Sequence, residues 1–323
     1  MHASTRKGRG VFTLRPRPPL AADLTLDRYR RWGVDPATVY AGGILTRVAR
    51  IGAGLVPFRL AVAGAPEEPR VTVAFAGADT PAVRAALRRE VECLLGTAWD
   101  LPGFYARAAH DPVLAPLVSP LRGLRPPRAP DLFEMLVGAI SAQQVNLTFA
   151  YTTRARLVRH FGTPVHFDGV TVYAFPEPAV LARAEVAVLR AMQFSTRKAE
   201  YIVGLARELA AGRLDLASLA AASEADVIAR LTAIRGLGRW TAEWFLARGL
   251  GRPDVCPADD LGVRRAVEAF CFRGRPADPA RVRMRARVWR PYRTLAVHYL
   301  LAGLRLPRPD IAPVTRAQAA GGA

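Results

Sequence analysis

Two neighbouring aspartates, Asp259 and Asp260, stand before the helix-forming segment LGVRRAVEAF, and a Gly236-Leu237-Gly238 turn lies upstream of them. The glycines allow positive φ and remove side chains that would hold off a ligand. Backbone N–H groups at the start of the segment after the turn then face outward, where a phosphate can accept them. A carboxylate beside such a clamp sits where a bound nucleic acid meets the protein. A bare Gly-x-Gly, taken alone, points more often to an ordinary helix-turn-helix connection, in which glycine only punctuates.

The flanking segments supply the elements this arrangement needs. Residues 223–231, SEADVIARL, begin with a capping serine and place Val227, Ile228 and Leu231 on one helical face. Residues 239–249, RWTAEWFLARG, predict a second helix with Trp240, Trp244, Phe245 and Ala247 on its apolar side and Gly249 as its stop. Trp240 and Trp244 are one turn apart. Glu243, one turn from Arg239, reads as a helix ion pair. One of the two aspartates is expected to cap LGVRRAVEAF.

The rest of the chain reads as a mixed fold. Short β-like runs at Val11–Leu14, Ile44–Ile51, Leu55–Val62 and Val71–Phe75 are separated by glycine-rich turns, and Thr80–Leu95 reads as one amphipathic helix capped by Asp79 or Thr80. These elements predict an N-terminal α+β domain, a small antiparallel sheet plus a helix, over 11–118, after a basic flexible tail at 1–10. Pro116–Pro130, rich in Pro and Arg, reads as the linker into an almost wholly helical domain over 119–312, and 313–323 as a second flexible tail. The 323 residues suffice for two such cores.

The formal net charge of +19 and pI near 11.2 suit a polyanionic partner, although a GC-rich genome also raises arginine content. No apolar run approaches membrane-spanning length and no secretory pattern opens the chain, so a soluble, cytoplasmic, nucleoid-associated monomer is expected. Cys93, Cys256 and Cys271 are too few and scattered for a disulfide framework or a four-thiolate site. The histidines at 2, 110, 160, 166 and 298 show neither triad nor metal spacing.

Ile234-Arg-Gly-Leu-Gly-Arg-Trp-Thr-Ala242 followed by Cys256-Pro-Ala-Asp-Asp-Leu261 resembles the signature of the helix-hairpin-helix (HhH-GPD) DNA glycosylases, and is most similar to the 3-methyladenine DNA glycosylase II, AlkA-like, branch. Asp131-Leu-Phe-Glu134, Ile140-Ser-Ala-Gln-Gln-Val145, Arg197-Lys-Ala-Glu200 and Trp289-Arg-Pro-Tyr-Arg293 agree in order, so the resemblance spans about residues 125–305. It implies a mostly helical HhH-GPD domain with a DNA-binding cleft. The implied activity is release of alkylated purines from duplex DNA by N-glycosidic hydrolysis, the first step of base excision repair.

The resemblance also assigns residues. Asp260, the second of the pair, takes the catalytic position, with Asp259 the alternative. Trp240 matches the base-pocket position, and Trp244 belongs to pocket or core. Gln143 and Gln144 match the segment that wedges into the duplex where the base is flipped out, against a polar helix end as the bland reading. The phosphate clamp comprises Arg235, Gly236, Leu237, Gly238, Arg239 and Thr241. The carbonyls of Thr232, Ile234 and Leu237 would hold a monovalent cation, Na+ or K+; no other cofactor is required, and no iron–sulfur cluster of the kind some relatives carry is expected. Where the strand-cleaving branch places its Schiff-base lysine, this chain has Trp240. Its two lysines are Lys7, in the basic tail, and Lys198, in a helix far along the sequence from the motif. No lyase activity is expected. A glycosylase for oxidised or deaminated bases, and a non-catalytic DNA-binding module, are the alternative readings.

Overall fold

The structure, a computed structural model, describes residues 8–307. Five strands, β1 (Arg9–Leu14), β2 (Thr38–Ala41), β3 (Ile44–Ile51), β4 (Gly54–Ala63) and β5 (Arg70–Ala76), form an antiparallel sheet in the order β1-β5-β4-β3-β2. Helix α1 (Pro81–Leu94), capped by Thr80 Oγ1 accepting the Val83 N–H at 3.2 Å, covers one face. Its Leu87, Val91 and Leu94 pack with Leu45, Phe58, Leu60, Val71, Val73 and Phe75, the inward residues of the adjacent strands β3, β4 and β5.

β3 is buried on both faces at its centre, because a further hairpin, β6 (Thr163–Phe167) with β7 (Val170–Ala174), packs against it through Val172, Ala174 and Val48. The expectation of an almost wholly helical second domain therefore missed one two-stranded sheet. Its short strands lie between helices, with the positive-φ pair Asp168-Gly169 making the turn.

Pro116–Pro130 is not a linker. Arg125 within it is fully buried, and its guanidinium donates to the carbonyls of Pro19, Thr97, Trp99 and Arg17 at 2.9–3.3 Å. The segment joins the two cores through these bonds, so arginine here satisfies buried carbonyls and does not solvate a loop. Residues from Trp99 onward, including helix α2 (Leu101–Ala108), put Trp99, Leu101, Phe104, Leu114, Leu117 and Leu121 into the helical core, whereas the sheet core ends at Leu95. The division between cores falls near residue 97, earlier than the expected boundary at 118. The tails at 1–10 and 313–323 lie outside the described residues, apart from 8–10, of which Arg9 and Gly10 open β1.

The helices that matter for the site are α3 (Leu132–Ala142), α4 (Leu147–Phe161), α5 (Thr196–Ala210), α6 (Glu224–Thr232), α7 (Arg239–Trp244), α8 (Leu261–Cys271), α9 (Pro279–Ala286) and α10 (Arg293–Gly303). α7 continues through a wider π-type turn over Phe245–Gly249. A buried ion network ties this domain to the sheet. Glu134 of α3 accepts from Arg47 of β3 at 2.5 and 3.1 Å and from Arg154 of α4 at 2.7 Å, while Arg154 also holds Asp35 at 2.9 Å. Burial alone would raise the Glu134 carboxyl, but the two guanidiniums outweigh it and hold it at about 2.

Candidate active site

The hairpin forms as its residues dictate. Ser223 Oγ caps α6 by accepting the Asp226 N–H at 3.1 Å, and the chain reverses after Ala233 with the Leu237 N–H on the Ile234 carbonyl at 3.0 Å. Gly236 has φ +95°, and a Cβ there would lie 2.1 Å from Cγ of Tyr201 on α5, so both conformation and space exclude a side chain. Gly238 differs from expectation. It is the extended N-cap of α7, with φ −96°, and a Cβ there would meet nothing within 4 Å. Nothing in the protein requires its glycine, but an added methyl would project into the open space before α7.

Ala242 N–H reaches the Gly238 carbonyl at 3.1 Å, while the N–H groups of the preceding residues have no carbonyl one turn back. Leu237 is buried, and the Thr241 hydroxyl is buried as well, so neither side chain reaches the surface of the hairpin. Arg235 is exposed, stacked on Tyr201 and bonded to Glu200 at 2.8 Å. Arg239 donates Nε to Glu243 Oε1 at 2.8 Å, the ion pair expected from their spacing, and the rest of its guanidinium is exposed.

Asp260 is the cap of α8: Oδ1 accepts the Val263 N–H at 2.9 Å. Its Oδ2 accepts two indole N–H groups, from Trp240 at 2.8 Å and Trp244 at 3.1 Å. Helix capping and the candidate acid role thus fall on one residue. Asp259 instead is exposed and bonded to Arg283 of α9.

The two tryptophans, expected as pocket walls, share this second task. Trp244 is 8% exposed, set at right angles to His298 with ring centroids 5.5 Å apart and under the Arg248 guanidinium at 5.7 Å. It is a strut in the core. Trp240 is only half-buried and is the indole with surface to offer a ligand. Burial pushes His298 down to about 4, partly offset by its bond to the Thr294 carbonyl at 2.8 Å, so a neutral ring backs Trp244.

The wedge pair divides its roles. Gln143 ends α3 and donates Nε2 to the Gly236 carbonyl at 2.8 Å, bracing the turn. Gln144 is exposed, with φ +53°. Both line a cavity of about 370 Å³ with Phe149, Thr153, Phe194 and Lys198. Lys198, far from the motif in sequence, is near it in space: its Nζ donates to the Ser141 carbonyl at the end of α3 at 2.9 Å. Sequence reading missed Lys198, Tyr201 and Arg283 as neighbours of the site; only the close approach demanded by Gly236 carried a trace of Tyr201.

Residues 137–291 match the HhH-GPD superfamily base excision DNA repair protein family. A DNA-3-methyladenine glycosylase from Bacillus subtilis is 33% identical over 201 residues, 62% of this chain and 66% of the relative, so the chain spans just under two thirds of that relative's length. The 3-methyladenine DNA-glycosylase from Archaeoglobus fulgidus superposes with TM-score 0.80 at 28% identity, covering 90% of this chain and 97% of that one. The DNA-3-methyladenine glycosidase of Bacillus halodurans superposes with TM-score 0.52 at 32% identity, covering 63% and 90%. The chain, with its hairpin, its helix-capping aspartate and its N-terminal α+β part, belongs to the HhH-GPD superfamily of base excision DNA repair proteins.

Proposed function

We propose that this protein is a monofunctional DNA glycosylase that extrudes alkylated purines of the 3-methyladenine and 7-methylguanine type from duplex DNA and hydrolyses their N-glycosidic bonds. The observation that carries the reading is the Asp260 carboxylate, fixed by Trp240 and Trp244 beside an open helix start. The reaction leaves positive charge on C1′ and the ring oxygen of the sugar. A carboxylate about 4 Å away at an effective dielectric near 20 stabilises that charge by roughly 4 kcal/mol, about three powers of ten in rate. Three donors hold the carboxylate in place, so it need not reorganise as charge develops.

Leaving-group chemistry supplies the rest. An alkylated purine is already cationic and departs neutral, so no strong general acid is required. The base must leave the stack before its bond is accessible, at a cost of a few kcal/mol. The half-exposed Trp240 offers a face for stacking and cation–π attraction, and Gln144, on its left-handed backbone, is the side chain placed to fill the vacated space. The N–H groups before Ala242, with Gly238 open and Arg239 exposed, would take the DNA phosphates. The Thr232, Ile234 and Leu237 carbonyls are neutral oxygen donors, the Ile234 oxygen keeping one lone pair beside the Leu237 N–H; this set fits a monovalent cation, which these residues would hold and which would supply positive charge near a DNA phosphate. Strand cleavage is outside the proposal, since Trp240 stands at the lyase position and the Lys198 amine is engaged by Ser141. Such an enzyme works with the chromosome, as a monomer on duplex DNA.

The test is a release assay on duplexes carrying a single methylated, deaminated or oxidised base, with borohydride added in parallel. Release of methylated purines without a trapped protein–DNA adduct is expected. Release confined to oxidised or deaminated bases, or a trapped adduct, would assign the other glycosylase reading, and no release from any duplex would assign the DNA-binding module.

A further inference from the structure

Beside Asp260, three elements meet in one charged cluster. Arg283 of α9 bonds Asp259 and also donates Nη2 to Glu243 Oε1 on α7 at 3.3 Å. Glu243 accepts Arg239 Nε at 2.8 Å with the same oxygen. The Glu243 side chain is only 6% exposed, and its second oxygen and Arg283 Nε are both buried without a protein partner. An acid taken out of water and left incompletely bonded is costly, so its retention calls for a role. Burial raises the Glu243 carboxyl, with Arg239 and Arg283 pulling it back.

The geometry points to Arg283 and Glu243 as positioning residues that set the Asp259-Asp260 peptide against the hairpin helix. Asp260 is otherwise located by its own cap and by two indoles carried on α7. Arg283 fixes the preceding residue to that same helix, one residue before Trp244. Arg239, on the same oxygen of Glu243, keeps the rest of its guanidinium exposed at the first turn of the hairpin helix. Clamp helix and acid are thus held at a set spacing by a side chain that touches neither substrate nor Asp260. The α9 register that places Arg283 comes from the Asp278 cap, which accepts the Arg281 N–H at 2.7 Å. The inference rests on Asp260 being the acid of the proposed reaction.

The test compares Arg283→Met, Arg283→Lys, Asp259→Asn and Asp260→Asn by single-turnover release of 7-methylguanine, affinity for abasic-site DNA, and melting temperature. A displacement of about 1 Å at a reacting group costs up to about a hundredfold in rate. Arg283→Met is expected to slow release by at least about tenfold with abasic-site affinity within about twofold, and Arg283→Lys to recover most of it. Arg283→Met and Asp259→Asn combined should be no slower than Arg283→Met alone, since the methionine already removes the contact with Asp259. Unchanged release in Arg283→Met, with Asp260→Asn inactive, overturns the inference and leaves the site reading intact. Loss of release together with DNA affinity overturns it too, by making Arg283 a DNA contact. Should Arg283→Met fail to fold, Asp259→Asn read alone carries the same rate-against-affinity split. An active Asp260→Asn would remove the site reading itself.

Discussion

At the scale of single residues, Asp260 shows how one side chain serves stability and chemistry together. Its Oδ1 terminates a helix and its Oδ2 takes both indoles, so neither oxygen is free to swing. A hydrogen bond to a charged group contributes about 1.5–3 kcal/mol, which as lost positioning is roughly ten- to a hundredfold in rate. Trp240→Phe and Trp244→Phe, which keep an aromatic ring and remove the N–H, should therefore each slow single-turnover release by about tenfold or more. Unaltered release in both would show that only the ring faces matter. The aspartate and both tryptophans were legible in sequence as members of one site. Their bonds were not, because the indoles reach Asp260 only once the loop over 250–259 brings the chain back beside α7.

At the scale of the element, the hairpin separates two glycines that look alike in sequence. Gly236 sits at φ +95° with Tyr201 against it; Gly238 is extended and open. A side chain at Gly236 costs about 1–3 kcal/mol of backbone strain before the clash with the tyrosine ring is counted. Gly236→Ala should lower the melting temperature and DNA affinity together. Gly238→Ala should leave the melting temperature unchanged and weaken affinity for abasic-site DNA, because its methyl meets the ligand and not the protein. Equal thermal losses in the two variants would contradict this division. The helices on either side of the turn were readable from caps and period: Ser223 caps as expected, and α7 starts at Arg239. The left-handed Gln144 and the brace from Gln143 to Gly236 were not readable, since they depend on α3 meeting the hairpin across a long stretch of chain.

At the scale of the whole molecule, two cores are joined by buried charges, and this makes stability depend on pH. Glu134 is held at about 2 against an ordinary 4.5, so the unfolded chain binds its proton first and the stability Glu134 provides is lost as pH falls from 4.5 toward 2. His298, at about 4 against 6.5, has the same sign: its contribution is complete above 6.5 and is lost as pH falls toward 4. Melting temperature should therefore drop on acidification from pH 7, and His298→Gln should flatten the part between 6.5 and 4. A melting temperature that rises over that interval would contradict the assignment. β3 and α1 were legible because a β-like run between glycine turns and a Thr-Pro start fix them; β3 runs over Ile44–Ile51 as read. Arg125 and the β6–β7 hairpin were not, because Pro and Arg mark loops locally while a buried arginine is defined by carbonyls from distant segments.

The central claim is that Asp260 stabilises the charge formed as a base leaves its sugar. The most direct measurement is single-turnover release of 7-methylguanine by Asp260→Asn beside Asp259→Asn, with affinity for abasic-site DNA measured on both. Release should fall by about three powers of ten in Asp260→Asn with DNA affinity retained, and by far less in Asp259→Asn. Undiminished release by Asp260→Asn, with Asp259→Asn inactive, would contradict the account.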